Sequence, residues 1–228
     1  MPVIPLSIGD PFFDIKFAQN LDSLAVQKPS IVINASPEPI EIVGQSLSQF
    51  QSRIVMNTML SHVKQAVIVE RFDAHSDLDA LYAEVQNAWP LAYEVRREER
   101  LKGKLHYISP KARVENVFIS MYHTAGVPLN VGLHQEHVHH GEVPVREVHT
   151  QLVGYGKMQQ CTEKDLGTLY LEESMAPGMT HSVMFDENAH YPWHQYETVT
   201  PGIVLALEIV PADRVEESPF SKLVERVG

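Results

Sequence analysis

Apolar residues follow two different periods along this chain, and the change falls near residue 103. Between Ser76, a suitable N-cap, and Pro90, they recur at the 3.6-residue spacing of an amphipathic helix. This spacing predicts one helix that begins after Ser76 and ends before Pro90. Its apolar positions are Leu78, Leu81, Tyr82, Val85 and Trp89.

The rest of the first half gives weaker patterns. A second helix is expected over about residues 46 to 65, where Leu47 and Phe50 share a face, and the strand-like run AVIVERF follows it. The first 45 residues contain six prolines and little periodicity, which predicts an extended arm wrapping the domain or a partner subunit. Residues 1–103 are therefore expected to form an N-terminal arm and a helical extension.

From Lys104 onward the chain breaks into short strand-like runs separated by turn signals. Many short strands at fairly regular spacing are typical of a β-sandwich or barrel. The pattern predicts a β-barrel over residues 104–212, followed by a polar C-terminal tail over 213–228 with one helical turn. The runs are KLHYIS, VENVFISMYH, LNVGLHQEHVH, VREVHTQLVGYGKMQ, TLYLEES, THSVMF and GIVLALEIV.

Composition excludes several classes of function. The 228 residues are 44% hydrophobic, enough for a packed core, and the formal net charge of −11 argues against a nucleic-acid partner. The N-terminus lacks a basic leader region and no apolar run is long enough to span a bilayer, so a cytoplasmic protein without a membrane partner is expected. A single cysteine, Cys161, excludes an internal disulfide and a Cys-rich zinc site, so any metal must be held by imidazole and carboxylate.

Histidines are concentrated in one part of the predicted barrel: eight of the twelve lie between residues 134 and 194. Side chains alternate across a strand, so His137 and His139 project on the same face. On the next strand, three polar side chains share the face opposite Val148 and Leu152, which suits a barrel with a polar, ligand-filled interior. These three are Glu147, His149 and Gln151.

The spacing of these residues resembles the two motifs of the cupins, which are G-x5-H-x-H-x3,4-E-x6-G and G-x5-P-x-G-x2-H-x3-N. Glu147 and Gly154 reproduce the E-x6-G part, and Gly178 with the histidine three positions later reproduces G-x2-H. The resemblance covers about residues 104 to 212 and implies a mainly β fold with N-terminal helices, built on the cupin-type double-stranded β-helix, or jelly-roll, barrel. It implies as metal ligands His137, His139, Glu147 and His181.

Two spacings in the first motif depart from the cupin pattern. Four residues rather than five separate Gly132 from His137, and seven residues rather than three or four separate His139 from Glu147. The wide gap contains HHGEVPV, which is typical of a lengthened hairpin loop. The assignment of the histidines is therefore open, and His134 or His140 could replace one of the H-x-H pair.

Further residues are candidates for contact with a substrate. His149 and Gln151 lie on the face of Glu147, where they would bind substrate or orient a ligand, and His194 is the best candidate for acid–base work. The run EVRREERLKG is most simply a solvated helix face. An aromatic-rich run after the third ligand strand is either ordinary packing or substrate contact at a barrel mouth. The substrate-binding candidates in that run are His190, Tyr191, Trp193 and Tyr196.

The ligand set implied by the resemblance suits one divalent metal ion, with Fe(II) preferred and Zn, Mn or Ni as alternatives. The leading hypothesis is a metal-dependent cupin enzyme acting on a small organic metabolite, with a slight preference for a non-haem iron dioxygenase on superfamily frequency. The alternatives are a redox-neutral lyase, decarboxylase or isomerase, and a non-catalytic module that binds metal or a small molecule. A homodimer is expected from the N-terminal arm and an exposed barrel edge.

Overall fold

The computed structural model of the chain describes residues 2–137 and 140–222. Its strands form three sheets. Two α-helices, α1 Leu78–Ala88 and α2 Ala92–Arg96, lie in the chain between the first seven strands and the last eight. The strands are β1 Val3–Leu6, β2 Asp14–Val26, β3 Ser30–Asn34, β4 Ile40–Ile42, β5 Gln45–Leu47, β6 Ser52–Val55, β7 Thr58–Glu70, β8 His106–Ile108, β9 Ala112–Val114, β10 Val117–Thr124, β11 Arg146–Val153, β12 Gly156–Cys161, β13 Leu169–Met175, β14 Trp193–Thr198 and β15 Gly202–Ile209.

The first seven strands form one sheet, called here the N-terminal sheet, in the order β1-β2-β7-β3-β6, with β4 paired to β5 and β7. The predicted arm over the first 45 residues and the predicted helix over 46–65 are therefore wrong. Prolines do not prevent these strands, because they lie at an edge, like Pro5 in β1, or before a strand begins, like Pro29 before β3. Phe50, with a φ of 63°, lies in the turn between β5 and β6, so its helical spacing from Leu47 is a coincidence.

Two further sheets face each other. The central sheet has the order β11-β15-β10-β8, with β9 paired to β10, and the small sheet has the order β13-β12-β14. Every pair in both sheets is antiparallel. This arrangement confirms the predicted mainly β, jelly-roll type of fold.

Alternation along β15 assigns the two faces of the central sheet to different environments. Ile203, Leu205 and Leu207 belong to a large core that also contains buried residues of β2, β3, β7 and α1. Val204 and Ala206 point the other way and belong to a second core shared with the small sheet. The N-terminal sheet thus covers the outer face of the central sheet, and the space between the central and small sheets is the interior that holds the site.

Helix α1 confirms the predicted amphipathic helix. Leu81, Tyr82 and Val85 are buried against the large core, as their spacing predicts. The N-cap is Asp77 rather than Ser76, because the Asp77 side chain accepts a hydrogen bond from the main-chain N–H of Ala80. Within the described residues, no helix is both long enough and apolar enough to cross a membrane.

The second half differs from the sequence pattern in two strands. The run THSVMF forms no strand, apart from a single bridge between Thr150 and Thr180, and residues 129–134 of the predicted strand LNVGLHQEHVH form a loop beside β14. Strand β14 itself lies in the aromatic-rich run that was not predicted as a strand. The C-terminal segment contains the 3-10 helix Ala212–Glu217, in agreement with one helical turn. The division of the chain at residue 103 stays a prediction.

Candidate metal centre

A small cavity lies between the central and small sheets. Its volume is about 50 Å³, more than the ~10–15 Å³ that a cavity needs to hold one water molecule. The inward face of β11 contributes to its wall, as the alternation of polar and apolar residues in that strand predicts. The wall includes His134, His137, Glu147, His149, His194 and Tyr196.

Three imidazoles converge at this cavity. One ring nitrogen from each of His134, His137 and His194 lies within 4.8 Å of the others. In residues 2–137 and 140–222, this is the one group of three or more histidine, cysteine or acidic side chains that meets in this way. We call these three residues the histidine triad.

Main-chain pairing brings two members of the histidine triad together. The loop that contains His134 runs antiparallel to β14, which contains His194. The N–H of His134 donates to the carbonyl of His194 at 3.0 Å, and the N–H of His194 donates back at 2.9 Å. Nearer the start of the same loop, the N–H of Val131 donates to the carbonyl of Tyr196 at 3.0 Å.

Hydrogen bonds to carbonyl oxygens fix the tautomer of these same two histidines. Nδ1 of His134 donates to the carbonyl of Gly132, and Nδ1 of His194 donates to the carbonyl of Pro192, both at 3.0 Å. Each Nε2 is then the nitrogen with the lone pair that a metal requires. Burial lowers the pKa of His194 to about 3 and lowers that of His134 well below its usual range, which keeps both rings neutral.

A second group of polar side chains lies directly beside the histidine triad. An oxygen of Glu147 contacts Nδ1 of His137, and its other oxygen lies 3.4 Å from Nε2 of His149. Nδ1 of His149 lies 3.4 Å from Nε2 of His181. Burial by itself raises the pKa of the Glu147 carboxyl, but the adjacent His137 and His149 hold it well below its usual range. Glu147, His149 and His181 form a continuous row, called here the polar row.

The residues present fit a divalent transition metal. Neutral imidazoles are good ligands for Zn, Fe(II), Mn and Ni, and the adjacent Glu147 supplies a carboxylate of the kind that joins or orients such a set. The cavity next to the triad leaves room for water or substrate. This donor chemistry agrees with the prediction that imidazole and carboxylate hold any metal.

The structure describes three of the four ligands implied by the cupin resemblance, and these three are divided between the two groups. His137 is in the triad, whereas Glu147 and His181 belong to the polar row, and His139 lies outside the described residues. That four-ligand set stays a prediction. His194, the predicted acid or base, is a member of the triad, and its predicted role stays a prediction.

The two proposed substitutes for the H-x-H pair have different surroundings. His134 is in the triad. His140 is fully buried elsewhere, where Nε2 lies 2.6 Å from Oε2 of Glu208 and Nδ1 lies 2.8 Å from Oγ of Ser218. Of the two, only His134 is placed to hold an ion at this cavity.

The predicted substrate contacts also divide into two groups. Tyr196 is on the cavity wall, and its hydroxyl donates to Oε1 of Gln151 at 2.9 Å, so both residues support the wall. The hydroxyl of Tyr191 is used by the main chain, since it donates to the carbonyl of Val145 and accepts from the N–H of Glu147.

The remaining two candidates are not on the wall of the cavity. His190 is exposed, and its Nδ1 lies 3.1 Å from Oδ2 of Asp186. Trp193 packs under the ammonium group of Lys164, which lies 5.2 Å from the ring centroid. The structure does not bring either residue to the triad.

Sequence reasoning missed four polar residues on the cavity wall. Arg96 and Arg100 belong to the run EVRREERLKG, and the expectation that this run is a solvated helix face is wrong for both, whose side chains are 7% and 22% exposed. His106 and Tyr122 stack with ring centroids 5.0 Å apart. Only Glu98, a shared partner of both arginines, is local; the other contacts come from Glu208, Tyr122 and Val131 in distant parts of the chain, and no local pattern marks them.

Comparisons with known proteins give structural likeness alone. No family model matches the chain, and no curated protein matches it. A single-residue mutant of Bacillus subtilis oxalate decarboxylase is similar with a TM-score of 0.34 and 10% identity, over 95% of this chain and 77% of that one. An oxalate oxidase in complex with glycolate gives 0.33 and 11%, over 50% and 55%, and AerE from Microcystis aeruginosa gives 0.32 and 12%, over 92% and 97%. These are cupin-fold proteins, but a structural likeness this low says nothing about the site.

Proposed function

We propose that the chain is a metal-dependent cupin enzyme that acts on a small organic metabolite. The observation that carries the proposal is the convergence of His134, His137 and His194 on one small cavity, with two of the rings oriented by main-chain carbonyls. A metal held by three imidazoles keeps open positions for water or substrate, as a catalytic metal needs. The preference for Fe(II) and a dioxygenase rests on frequency among cupins and stays a prediction.

A specific observation favours the second candidate, a redox-neutral lyase, decarboxylase or isomerase. The polar row leads from the triad into the protein through contacts of 3.4 Å on either side of His149. Such a row can accept a proton from a substrate at Nε2 of His149 or at Glu147 and return it elsewhere. A bound divalent metal would supply Lewis-acid stabilisation of an oxyanion.

Elemental analysis of the protein, purified without added metal, tests the proposal. We expect about one divalent transition metal per chain, and its loss from His134→Ala and His194→Ala, because each variant removes one of three ligands. His190→Ala, which changes an exposed histidine, is the matched control and should keep the metal. Iron with oxygen uptake would favour the dioxygenase, whereas another metal without oxygen uptake would favour the redox-neutral enzyme.

Three results would contradict the proposal. Protein that carries no stoichiometric metal, and binds none when it is added, would remove the metal-dependent enzyme. Metal retained in His134→Ala and His194→Ala but lost in His181→Ala would transfer the centre to the four ligands implied by the resemblance. Metal binding without turnover of any substrate that binds would favour the non-catalytic module.

The proposed partner is a small-molecule substrate. A homodimer and a cytoplasmic location also remain proposals, and the homodimer now rests on the exposed sheet edge, since the expected N-terminal arm is part of a sheet.

A further inference from the structure

The segment that follows α1 brings two arginines to the cavity. Helix α2 ends at Arg96, the exposed Arg97 takes a left-handed conformation with a φ of 58°, and the 3-10 helix Glu99–Leu101 contains Arg100. Arg96 and Arg100 both reach the wall that contains Glu147, His134 and the other members of the triad. Two guanidinium groups on the wall of so small a cavity are not explained by binding of the metal.

Each guanidinium is held in place by identified contacts. Arg96 lies 3.4 Å from Oε1 of Glu208 and 3.7 Å from Oε1 of Glu98, and its Cζ lies 5.0 Å from the ring centroid of Tyr122. Arg100 lies 2.5 Å from Oε2 of Glu98 and donates to the carbonyl of Val131 at 3.1 Å. An arginine fixed in this way is preorganised, so that little side-chain entropy is lost when it binds an anion.

The balance of buried charge requires an anion once a metal is bound. Three carboxylates and three Arg or Lys side chains lie in and around the cavity, so their formal charges sum to zero without a metal. Metal-bound histidines are neutral, and a divalent ion therefore adds two positive charges to a region of low dielectric. A monocarboxylate would compensate one of these charges, and a dicarboxylate would compensate both. The six charged side chains are Arg96, Arg100, Lys111, Glu98, Glu147 and Glu208.

We propose that Arg96 and Arg100 form an anion subsite that binds the carboxylate of a small organic acid, with the rest of the acid facing the histidine triad. This inference rests on the proposed function and names its class of substrate. The planar guanidinium fork matches a carboxylate. The small cavity volume, about 50 Å³, favours a small acid.

Isothermal titration calorimetry of the metal-loaded protein tests the subsite. The probes are acetate, pyruvate and malonate, their neutral amides acetamide, pyruvamide and malonamide, and inorganic phosphate. We expect at least one carboxylate to bind, and its amide and phosphate to bind more weakly. Arg100→Gln should weaken carboxylate binding by about tenfold or more, since a charged hydrogen bond contributes ~1.5–3 kcal/mol.

Three variants separate recognition from folding. Arg97→Gln, in the same segment but exposed, should leave the affinity unchanged. Arg100→Lys keeps the charge without the fork and should give an intermediate affinity. Arg96→Gln should also weaken binding, and its thermal melting curve shows whether the loss of its contact with Glu208 unfolds the chain.

Several outcomes would overturn the subsite: no carboxylate probe binds, an amide or phosphate binds as tightly as the acid, or Arg100→Gln leaves the affinity unchanged. If elemental analysis still finds the metal, the proposed function stands without the subsite. Arginine-dependent carboxylate binding in a protein without metal would leave the subsite standing and contradict the metal-dependent enzyme.

Discussion

Two buried clusters of histidine and carboxylate lie side by side in this protein. Glu147 on β11 is directly opposite Glu208 on β15 in the strand register. Both carboxylates are buried, and each contacts a histidine, Glu147 with His137 and Glu208 with His140. Residue type and burial therefore do not distinguish the two clusters.

The clusters differ in how their polar atoms are used. Glu208 contacts Lys111 and Arg96, and both ring nitrogens of His140 have partners in Glu208 and Ser218. Around Glu147, by contrast, ring nitrogens of the triad converge on a cavity. A buried cluster whose groups satisfy one another stabilises the fold, whereas one that directs ligand atoms at a shared space is suited to binding.

Substitution of Glu208 is the most severe test of this contrast. Glu208→Ala leaves two buried cations and His140 without their common carboxylate, and we expect it to lower the free energy of unfolding by about 3–5 kcal/mol. Denaturant unfolding of the metal-free protein measures the effect. Glu216→Ala, which removes an exposed partner of Arg113, should change the stability little. Equal effects of the two substitutions would show that the Glu208 cluster does not stabilise the fold.

Substitution of Glu147 should act on metal binding instead. Glu147→Gln keeps the shape of the side chain but removes the charge beside His137, so we expect the metal affinity to fall by about tenfold to a hundredfold. Competition with a chelator measures the affinity, and Glu172→Gln, at an exposed ion pair with Lys157, is the control. Loss of stability without any change in metal affinity would show that Glu147, like Glu208, stabilises the fold rather than the metal.

Removal of one hydroxyl from the cluster around Glu208 should have the smallest effect on stability. Ser218→Ala removes the partner of Nδ1 of His140, and a loss of about 1 kcal/mol in the free energy of unfolding is expected. Metal content should not change, because Ser218 does not reach the triad. Thermal unfolding and elemental analysis on the same sample measure both quantities. Loss of metal in this variant would mean that the two clusters are coupled.

Local patterns in the sequence predict the parts of the fold that depend on local rules. Helix α1 follows its apolar spacing and ends before Pro90, and β11 separates Val148 from Glu147 because a strand alternates its faces. The helix expected over 46–65 fails because β6 and β7 obtain their hydrogen bonds from β3 and β2, which lie much earlier in the chain, and β5 pairs with the neighbouring β4. Apolar spacing alone does not contain that information.

The sequence predicts part of the candidate site as well. His137 and Glu147 follow from the motif, and His134 was among the alternatives. The convergence of His194 with them depends on pairing between a loop and β14, which no spacing in the chain encodes. The two arginines were assigned to solvent because a charged run is usually exposed, and their burial depends on Glu98 and Glu208.

The two main-chain hydrogen bonds between His134 and His194 have a consequence for the thermodynamics of metal loading. These residues are far apart in sequence, so bringing their side chains together costs loop-closure entropy. Pairing of the loop with β14 offsets that entropy during folding, before any metal binds. For this pair of ligands, coordination therefore has little further loop-closure entropy to overcome, and their approach belongs to folding rather than to metal binding.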